Sequence, residues 1–293
     1  MLWIYLALIA YFLDAIVFAF DKFLLMVPLP HPLPYAFYAT ILSVFVIVLL
    51  PFGVVHLPPS PLYLAVAFSS GLFFFLALIY LYKSIKAIDV LEATPAVGAI
   101  AALGTFFLSV FVLREHISGS ELIAFFLLVA GAFIMSYFHL KTRIIIYMLL
   151  AGIFFGVSSV ALKYIFNLSS FIDGLFWSRL GSVISALVVL VHPSARRQIF
   201  NSFGAAPPGS KFLFGLNKVL AAAGFLVLYY AIKLGSVVFV SALQGLQYVF
   251  ILIIGIFVAK KLPMLFERHL HERPARKIIA TALIVIGFFL LVF

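Results

Sequence analysis

Charged side chains inside long apolar stretches are the residues of this chain most able to do chemistry. Asp14 lies in the middle of LWIYLALIAYFLDAIVFAF, and Lys218, next to Asn217, lies within KFLFGLNKVLAAAGFLVLYYAI. A charge at the centre of a membrane-spanning helix costs about 2.5–3.5 kcal/mol on insertion scales, so it must face protein or water. Such residues mark proton relays and solute paths, or pair with one another. Asp14 is therefore a candidate for coupling or substrate binding, with a structural pair to Lys218 as the alternative.

A second polar group begins the apolar segment that follows residue 88. Glu92, Thr94 and Pro95 lie within its first turns. The proline removes one backbone hydrogen bond and frees a carbonyl, which can accept from a substrate or from water. Glu92 has an alternative role at the helix start, where its negative charge suits the helix dipole.

Polar side chains also recur along the segment 235–259. Ser241, Gln244 and Tyr248 are spaced i, i+3 and i+7, so they share one helix face, and Gln247 lies beside it. These residues are candidates for shaping a pocket. Alternatively, the two amides link helices by hydrogen bonds, as amides do in membranes.

The composition of the chain indicates whether the segments that carry these residues lie in water or in lipid. The chain is 66% hydrophobic and 10% charged, with a mean hydropathy of +1.29, whereas soluble domains carry about 25% charged residues. Much of this apolar surface must face lipid. The net charge of +10 comes mostly from short loops, which indicates contact with lipid headgroups rather than with nucleic acid.

The apolar stretches predict an all-α integral membrane protein. A spanning helix needs about 20 mostly apolar residues. Ten stretches qualify, and nothing between them is large enough for a soluble domain. Their bounds are 2–25, 35–56, 61–82, 88–112, 119–139, 143–165, 171–191, 211–233, 235–259 and 276–293.

The chain repeats itself after about half its length. YKSIKAIDVLEATPAVG at 82–98 and YYAIKLGSVVFVSALQG at 229–245 share Tyr, Ile, Lys, Val and Gly at matched positions. With one gap, Lys22 falls on Lys163, and Gly131 falls on Gly287. The sequence therefore predicts two five-helix repeats, 1–139 and 143–293. Because five is odd, the second is inverted, as in secondary transporters whose substrate site lies near the midplane.

One half also resembles a known family. IYLYKSIKAIDVLEATPAVGAIAALGTFFLSVFVLREHISGSELIAFFLLVAGAFIMS resembles the EamA repeat of the drug/metabolite transporter superfamily, with Lys86, Pro95, Glu115 and Gly131 at its pattern positions. The second copy departs from the pattern, because Ala242 replaces the proline. We therefore expect no comparable helix break there.

The resemblance implies a secondary transporter of a small metabolite, amino-acid-like, nucleotide- or sugar-like, or drug-like. Its central cavity would lie between the repeats, lined mainly by predicted helices one, three, four, six, eight and nine. Asp14 would couple protons or bind a substrate amine, and Lys218 and Asn217 would contact an anionic or polar part of the substrate. The remaining candidates around the substrate are Glu92, Thr94, Pro95, Gln244, Gln247 and Tyr248. No cofactor is expected, no metal site is assigned, and the protein would be a monomer or homodimer in the cell membrane.

Two other functions stay open at this point. The first is a flippase for a lipid-linked carrier, which would need a lateral opening and a basic headgroup site. The second is a membrane-embedded enzyme or a structural subunit. The chain carries no H-E-x-x-H, G-x-S-x-G or P-loop motif, so we expect no enzymatic activity.

Charge and family resemblance disagree about orientation. Fourteen Lys and Arg residues lie on the side of predicted loops 1–2, 3–4, 5–6, 7–8 and 9–10, and three lie on the other side. The positive-inside rule then places both termini outside. The family resemblance implies that both termini are inside.

Overall fold

The computed structural model describes residues 1–26, 29, 31–136, 141–204, 206–258 and 274–292. This part of the chain forms twelve α-helices and no strand, which confirms an all-α protein. The helices are α1 Leu2–Met26, α2 Pro32–Ile41, α3 Pro61–Ala87, α4 Val90–Leu108, α5 Gly119–Met135, α6 Thr142–Leu168, α7 Phe171–Val189, α8 Pro193–Gly204, α9 Pro208–Leu234, α10 Val237–Ala242, α11 Gln244–Val258 and α12 Pro274–Val292. Helix α2 continues as a 3₁₀ helix over Leu42–Phe52, and α4 ends in a π-helical turn over Ser109–Leu113.

The helices confirm a multi-pass membrane protein. Nine spans within the described residues are long and apolar enough to cross a bilayer. The remaining predicted span, 119–139, corresponds to α5, which has 17 residues and so lies at the lower limit of about 17–25 residues for a spanning helix. The count of ten therefore stays a prediction that depends on α5.

Small polar residues and prolines place the helix starts. Ser60, Ser118 and Ser170 each accept a backbone N–H of the first turn at the start of α3, α5 and α7. Ser118 and Glu121 satisfy each other's backbone N–H groups in a capping box. These caps satisfy donors that would otherwise be left without acceptors near the apolar core of the membrane.

The repeated lysines hold the ends of neighbouring helices. Lys22 Nζ donates to the carbonyls of Ile85 and Ile88, both at 2.7 Å, at the end of α3. Lys163 Nζ donates to the carbonyls of Ile232 at 2.9 Å and Gly235 at 2.6 Å, at the end of α9. Each ammonium satisfies carbonyls that have no partner within their own helix, and its charge suits the negative end of the helix dipole.

Lys233 makes a similar contact in the opposite direction, from α9 to α6. Lys233 Nζ, near the end of α9, donates to the carbonyls of Phe166 and Ser169 at the end of α6. Helices α6 and α9 thus cap each other. A lysine at the end of a spanning helix can simply reach the lipid headgroups, but Lys233 makes this specific contact instead.

Helices α1 and α9 run antiparallel along their length. Asp21, near the end of α1, contacts Lys218 in the first half of α9. At the other end, a Cβ on Gly235 would stand 2.6 Å from the Trp3 ring. The lysine caps at Ile85 and Ile232 therefore lie at opposite ends of the bundle. Matching caps at opposite ends are what an inverted repeat requires; they support that prediction, which remains a prediction.

Glycines allow the closest helix contacts, as the G-x-x-x-G on α6 predicts. A Cβ on Gly152 would stand 2.6 Å from Ile100, and one on Gly156 would stand 3.1 Å from the Ala101 carbonyl oxygen. Helix α6 therefore packs closely against α4. Gly131 and Gly287 make similar approaches between α5 and α12, which matches their aligned positions in the two halves.

Two expectations about helix continuity are wrong. Pro95 lies inside the unbroken helix α4, whereas the second copy, which has Ala242 instead, is interrupted at Leu243 between α10 and α11. There the Leu246 N–H donates to the Leu243 carbonyl in a tight turn. The segment between the predicted spans 171–191 and 211–233 is mostly helical, because it contains α8 and the start of α9.

Candidate functional site

A buried ion pair joins α1 to α9. Lys218 Nζ lies 2.6 Å from Asp21 Oδ1, and the two side chains are 5% and 0% exposed. Asn217 Nδ2 donates to the same oxygen at 2.6 Å, and the Tyr35 hydroxyl donates to it at 2.5 Å. A charge pair removed from water is tolerated only when hydrogen bonds of this kind complete it.

Aromatic rings surround the ammonium of this pair. Lys218 Nζ lies 4.8 Å from the ring centroid of Tyr35, 5.4 Å from that of Tyr82 and 5.5 Å from that of Phe214. It also donates to the Tyr82 hydroxyl at 3.3 Å. The negative faces of the rings add to the attraction of Asp21, so the charge of Lys218 is compensated within the protein.

Asp14 lies on the same side of α1, seven residues before Asp21, but is not part of this pair. It is buried, and its Oδ1 has no hydrogen-bond partner among the described residues. The opposite helix provides space, because a Cβ on Gly224 would stand 3.0 Å from that oxygen. The pairing of Asp14 with Lys218, which the sequence left open, is therefore wrong in this structure.

Asp14 lines a small cavity inside the bundle, which we call the inner cavity. Its volume is about 60 Å³, enough for a few water molecules. The residues around it belong to α1, α3, α4, α6, α9, α10 and α11. These elements correspond to predicted helices one, three, four, six, eight and nine. The polar groups of its wall are Tyr11, Asp14, Thr94, Ser158, Ser159, Tyr229, Ser241 and Gln244.

The structure brings some predicted site residues together and not others. Gln244 and Thr94 line the inner cavity with Asp14. The Tyr248 hydroxyl donates to the Thr94 carbonyl at 2.6 Å, so Tyr248 positions the cavity wall. Gln247 is fully buried, and neither atom of its amide has a partner among the described residues.

Of the three predicted site residues at the start of α4, Thr94 lines the inner cavity. Glu92 and Pro95 line neither this cavity nor a second, larger one among the described residues. The helix start is capped by Asp89, whose Oδ1 accepts the Leu91 N–H at 2.8 Å. Glu92 follows in the first turn, where its charge suits the helix dipole.

A larger cavity, the outer cavity, lies among α1, α2 with its 3₁₀ extension, α3, α7 and α9. Its volume is about 360 Å³. Asp21 and Lys218 lie in its wall, as does Arg179 of α7. The rest of the wall is mostly Leu, Val, Ala and Phe. This volume falls in the range of small-molecule sites, about 300–1,000 Å³.

Four aromatic residues line both cavities: Phe18, Phe74, Phe225 and Tyr229. The rings of Phe74 and Phe225 meet edge to face with centroids 5.2 Å apart. Arg179 Cζ lies 4.4 Å from the centroid of Phe74 and 4.5 Å from that of Tyr229. We call these four residues the aromatic partition.

Sequence reasoning missed Asp21 as a site residue. Asp21 lies seven residues after Asp14, and this spacing places both carboxylates on one face of a helix. That periodicity was a usable signal. Arg179 lies within the predicted span 171–191, and only the packing of α7 against α3 and α9 shows that it faces a cavity.

Comparison with known proteins supports the fold and does not identify a family. No family model and no curated protein matches the chain. A crystal structure of a protein with no stated function matches 98% of this chain and 93% of its own, with a TM-score of 0.65 and 18% identity. At this identity the likeness shows a shared fold along almost the full length of both chains. The resemblance to the EamA repeat stays a prediction.

Proposed function

We propose that the protein is a secondary transporter of a small metabolite. The observation that carries this proposal is Asp14, a buried carboxylate without an ion-pair partner among the described residues, in the wall of a cavity inside the bundle. A structural role would favour a paired charge, whereas an intramembrane carboxylate at a cavity is typical of solute and proton paths.

The aromatic partition supports an alternating-access mechanism. It separates the inner cavity from the outer cavity with rings that can change rotamer without breaking a hydrogen-bond network. Movement of one five-helix half against the other would then expose the Asp14 cavity to one side at a time. Asp14 would carry the proton or bind a substrate amine, and Gln244, Thr94 and Ser241 would fix the polar part of the solute.

Reconstituted protein tests this proposal directly. Liposomes that contain the purified protein are loaded with a pool of unlabelled metabolites. Uptake of labelled solutes is then followed under an imposed pH gradient. Candidate solutes come first from a thermal-shift screen, because a bound ligand raises apparent stability. Ligand-dependent counterflow that is absent from protein-free liposomes supports a transporter. Absence of counterflow for every stabilising solute would contradict it.

A flippase is the second candidate, because the outer cavity reaches the side of the bundle. Phe45 and Leu226 line this cavity and yet are 67% and 46% exposed on the outer surface. A lipid headgroup could enter between the 3₁₀ segment and α9 while its chains stay in the bilayer. Movement of a labelled lipid between leaflets, without counterflow of soluble solutes, would favour this function over the first.

A further inference from the structure

We propose that Arg179 is the anion-binding residue of the outer cavity, and that the cavity takes a monoanionic amphiphile. The anionic group would pair with the guanidinium, and the apolar part would lie against the aliphatic and aromatic wall. This inference deepens the proposed function and rests on it for the movement of the ligand, although binding can be measured without transport.

Arg179 has a buried guanidinium nitrogen, Nε, without a hydrogen-bond acceptor among the described residues. No carboxylate there pairs with it. The rings of Phe74 and Tyr229, with centroids 4.4 and 4.5 Å from Cζ, stabilise the charge but accept no conventional hydrogen bond. A guanidinium carries five N–H donors in a fixed fork that suits a carboxylate or phosphate.

Lys218, the other cation of the wall, is already neutralised. Its ammonium pairs with Asp21 at 2.6 Å within a cage of aromatic rings. The three charged groups of the outer cavity, Asp21, Arg179 and Lys218, therefore leave one positive charge uncompensated. This charge balance favours a ligand with a single negative charge, and it assigns the anion to Arg179 rather than to Lys218.

The remaining wall favours an apolar body. Aliphatic side chains such as Leu78, Val46 and Leu175 form most of it, together with the aromatic partition. A volume of about 360 Å³ corresponds to roughly twelve water-sized groups at about 30 Å³ each. A carboxylate with a short aromatic or aliphatic body fits this space, as does the headgroup region of an anionic lipid that enters beside Phe45 and Leu226.

Phenylacetate and its uncharged isostere 2-phenylacetamide separate charge from shape. We would measure binding of both, and of the cation phenethylamine, to protein in phosphatidylcholine nanodiscs. The expected order is phenylacetate well above the amide, with no binding of the cation. Arg179→Gln should weaken phenylacetate binding about tenfold to a hundredfold, the loss expected for hydrogen bonds to a charged group. Arg197→Gln is the matched control, because Arg197 is exposed on α8.

A second arm identifies the source of the anion. Nanodiscs that contain phosphatidylglycerol, whose phosphodiester carries a single negative charge, replace the free acid, and the shift in melting temperature is compared between the wild type and Arg179→Gln. Stabilisation by phosphatidylglycerol that is lost in the variant assigns the site to a lipid headgroup, and Arg179-dependent binding of phenylacetate assigns it to a free acid. If neither anion shows a dependence on Arg179, or if phenethylamine binds best, the proposal is wrong.

These results are distinguishable from failure of the transport proposal. Arg179-dependent binding without counterflow in liposomes would keep this site and reject the transporter. Counterflow in liposomes, together with anion binding that does not depend on Arg179, would keep the transporter and reject the site. Well-folded Arg179→Lys provides a further check, because a lysine keeps the charge but loses the planar fork and should recover only part of the affinity.

Discussion

Four charged residues inside the bundle fall into two kinds, those that form an ion pair and those that line a cavity without an ion-pair partner. Asp21 and Lys218 form a closed unit, since the pair is completed by Asn217 and Tyr35 and excluded from solvent. Asp14 and Arg179 have no ion-pair partner among the described residues, and each lines a cavity. Paired charge holds helices together, whereas charge at a cavity without a partner is available to a proton or a ligand.

Asp21→Asn should destabilise the protein strongly. The substitution leaves the Lys218 ammonium buried without its counter-ion, which costs about 3–5 kcal/mol in comparable pairs. Adding Lys218→Met should recover most of this loss, because the double variant contains no buried charge at the site. Thermal unfolding of the purified variants measures both effects. Equal stability of the Asp21→Asn single variant and the double variant would show that the pair is not the source of the loss.

Asp14→Asn should behave differently from Asp21→Asn. No cation among the described residues is left uncompensated when Asp14 becomes neutral, so we expect near-normal unfolding. Under the proposed function, uptake should lose its dependence on the pH gradient, because an amide cannot exchange the proton. Uptake across a range of external pH measures this. Normal pH dependence in a folded Asp14→Asn variant would remove Asp14 from the coupling mechanism.

The helices interact through their ends and through glycine faces. Lysine caps link the end of α9 to α6 and the end of α3 to α1. These contacts explain why lysines recur at matched positions in the two halves: each half needs a donor for the carbonyls at the end of a neighbouring helix. Between the caps, glycines let helix backbones touch where side chains would separate them.

Gly71→Ala tests the glycine that lies closest to the backbone of a neighbouring helix. A Cβ on Gly71 of α3 would stand 2.2 Å from the Ser182 backbone nitrogen of α7, so the two helices must move apart. We expect a loss of about 1–3 kcal/mol, as in overpacked cores. Gly215→Ala is the control: Gly215 lies within α9 with nothing within 4 Å of its Cβ position, and alanine there should stabilise the helix by up to about 1 kcal/mol. Equal unfolding temperatures for the two variants would contradict the close packing of α3 and α7.

The topology of the whole molecule depends on whether α5 crosses the bilayer. Its 17 residues give a length of about 26 Å at 1.5 Å per residue, somewhat less than the hydrocarbon core of about 30 Å. A spanning α5 makes the two halves topologically opposite and puts both termini on one side. An α5 that only dips into the membrane would break the inverted repeat.

Labelling of single cysteines tests both whether α5 crosses the membrane and which way the protein is oriented. The chain has no cysteine, so Ser120→Cys, Thr142→Cys and Ser194→Cys each provide one exposed label site. If α5 spans, Ser120→Cys lies on one side, and Thr142→Cys and Ser194→Cys lie on the other. The bias of fourteen basic residues to three places Ser120→Cys outside, where a membrane-impermeant maleimide reacts in intact cells. Labelling of Thr142→Cys and Ser194→Cys without labelling of Ser120→Cys would reverse the orientation, and labelling of both Ser120→Cys and Thr142→Cys would show that α5 does not span.

The sequence by itself determined that the protein lies in a membrane, where its helices are, and which charged residues are candidates for function. Hydropathy is a local property, so apolar stretches of about 20 residues mark spanning helices without knowledge of their neighbours. Gly152 and Gly156 predict a close helix–helix contact for the same local reason, because small residues four positions apart lie on one face of the helix. Asp14 and Lys218 were evident because charge inside an apolar helix is costly wherever it lies.

Only the tertiary structure decided which charges meet. The side chains of Lys218 and Asp21 are 197 positions apart in the chain, and their pairing depends on the antiparallel register of α1 and α9, which no local pattern encodes. The same register left Asp14 opposite Gly224 and without a counter-ion. The role of Arg179 likewise required the positions of Phe74 and Tyr229 on two other helices. Cavities are the spaces that packed helices leave between them, so their size and lining are set by the assembled bundle rather than by any one segment.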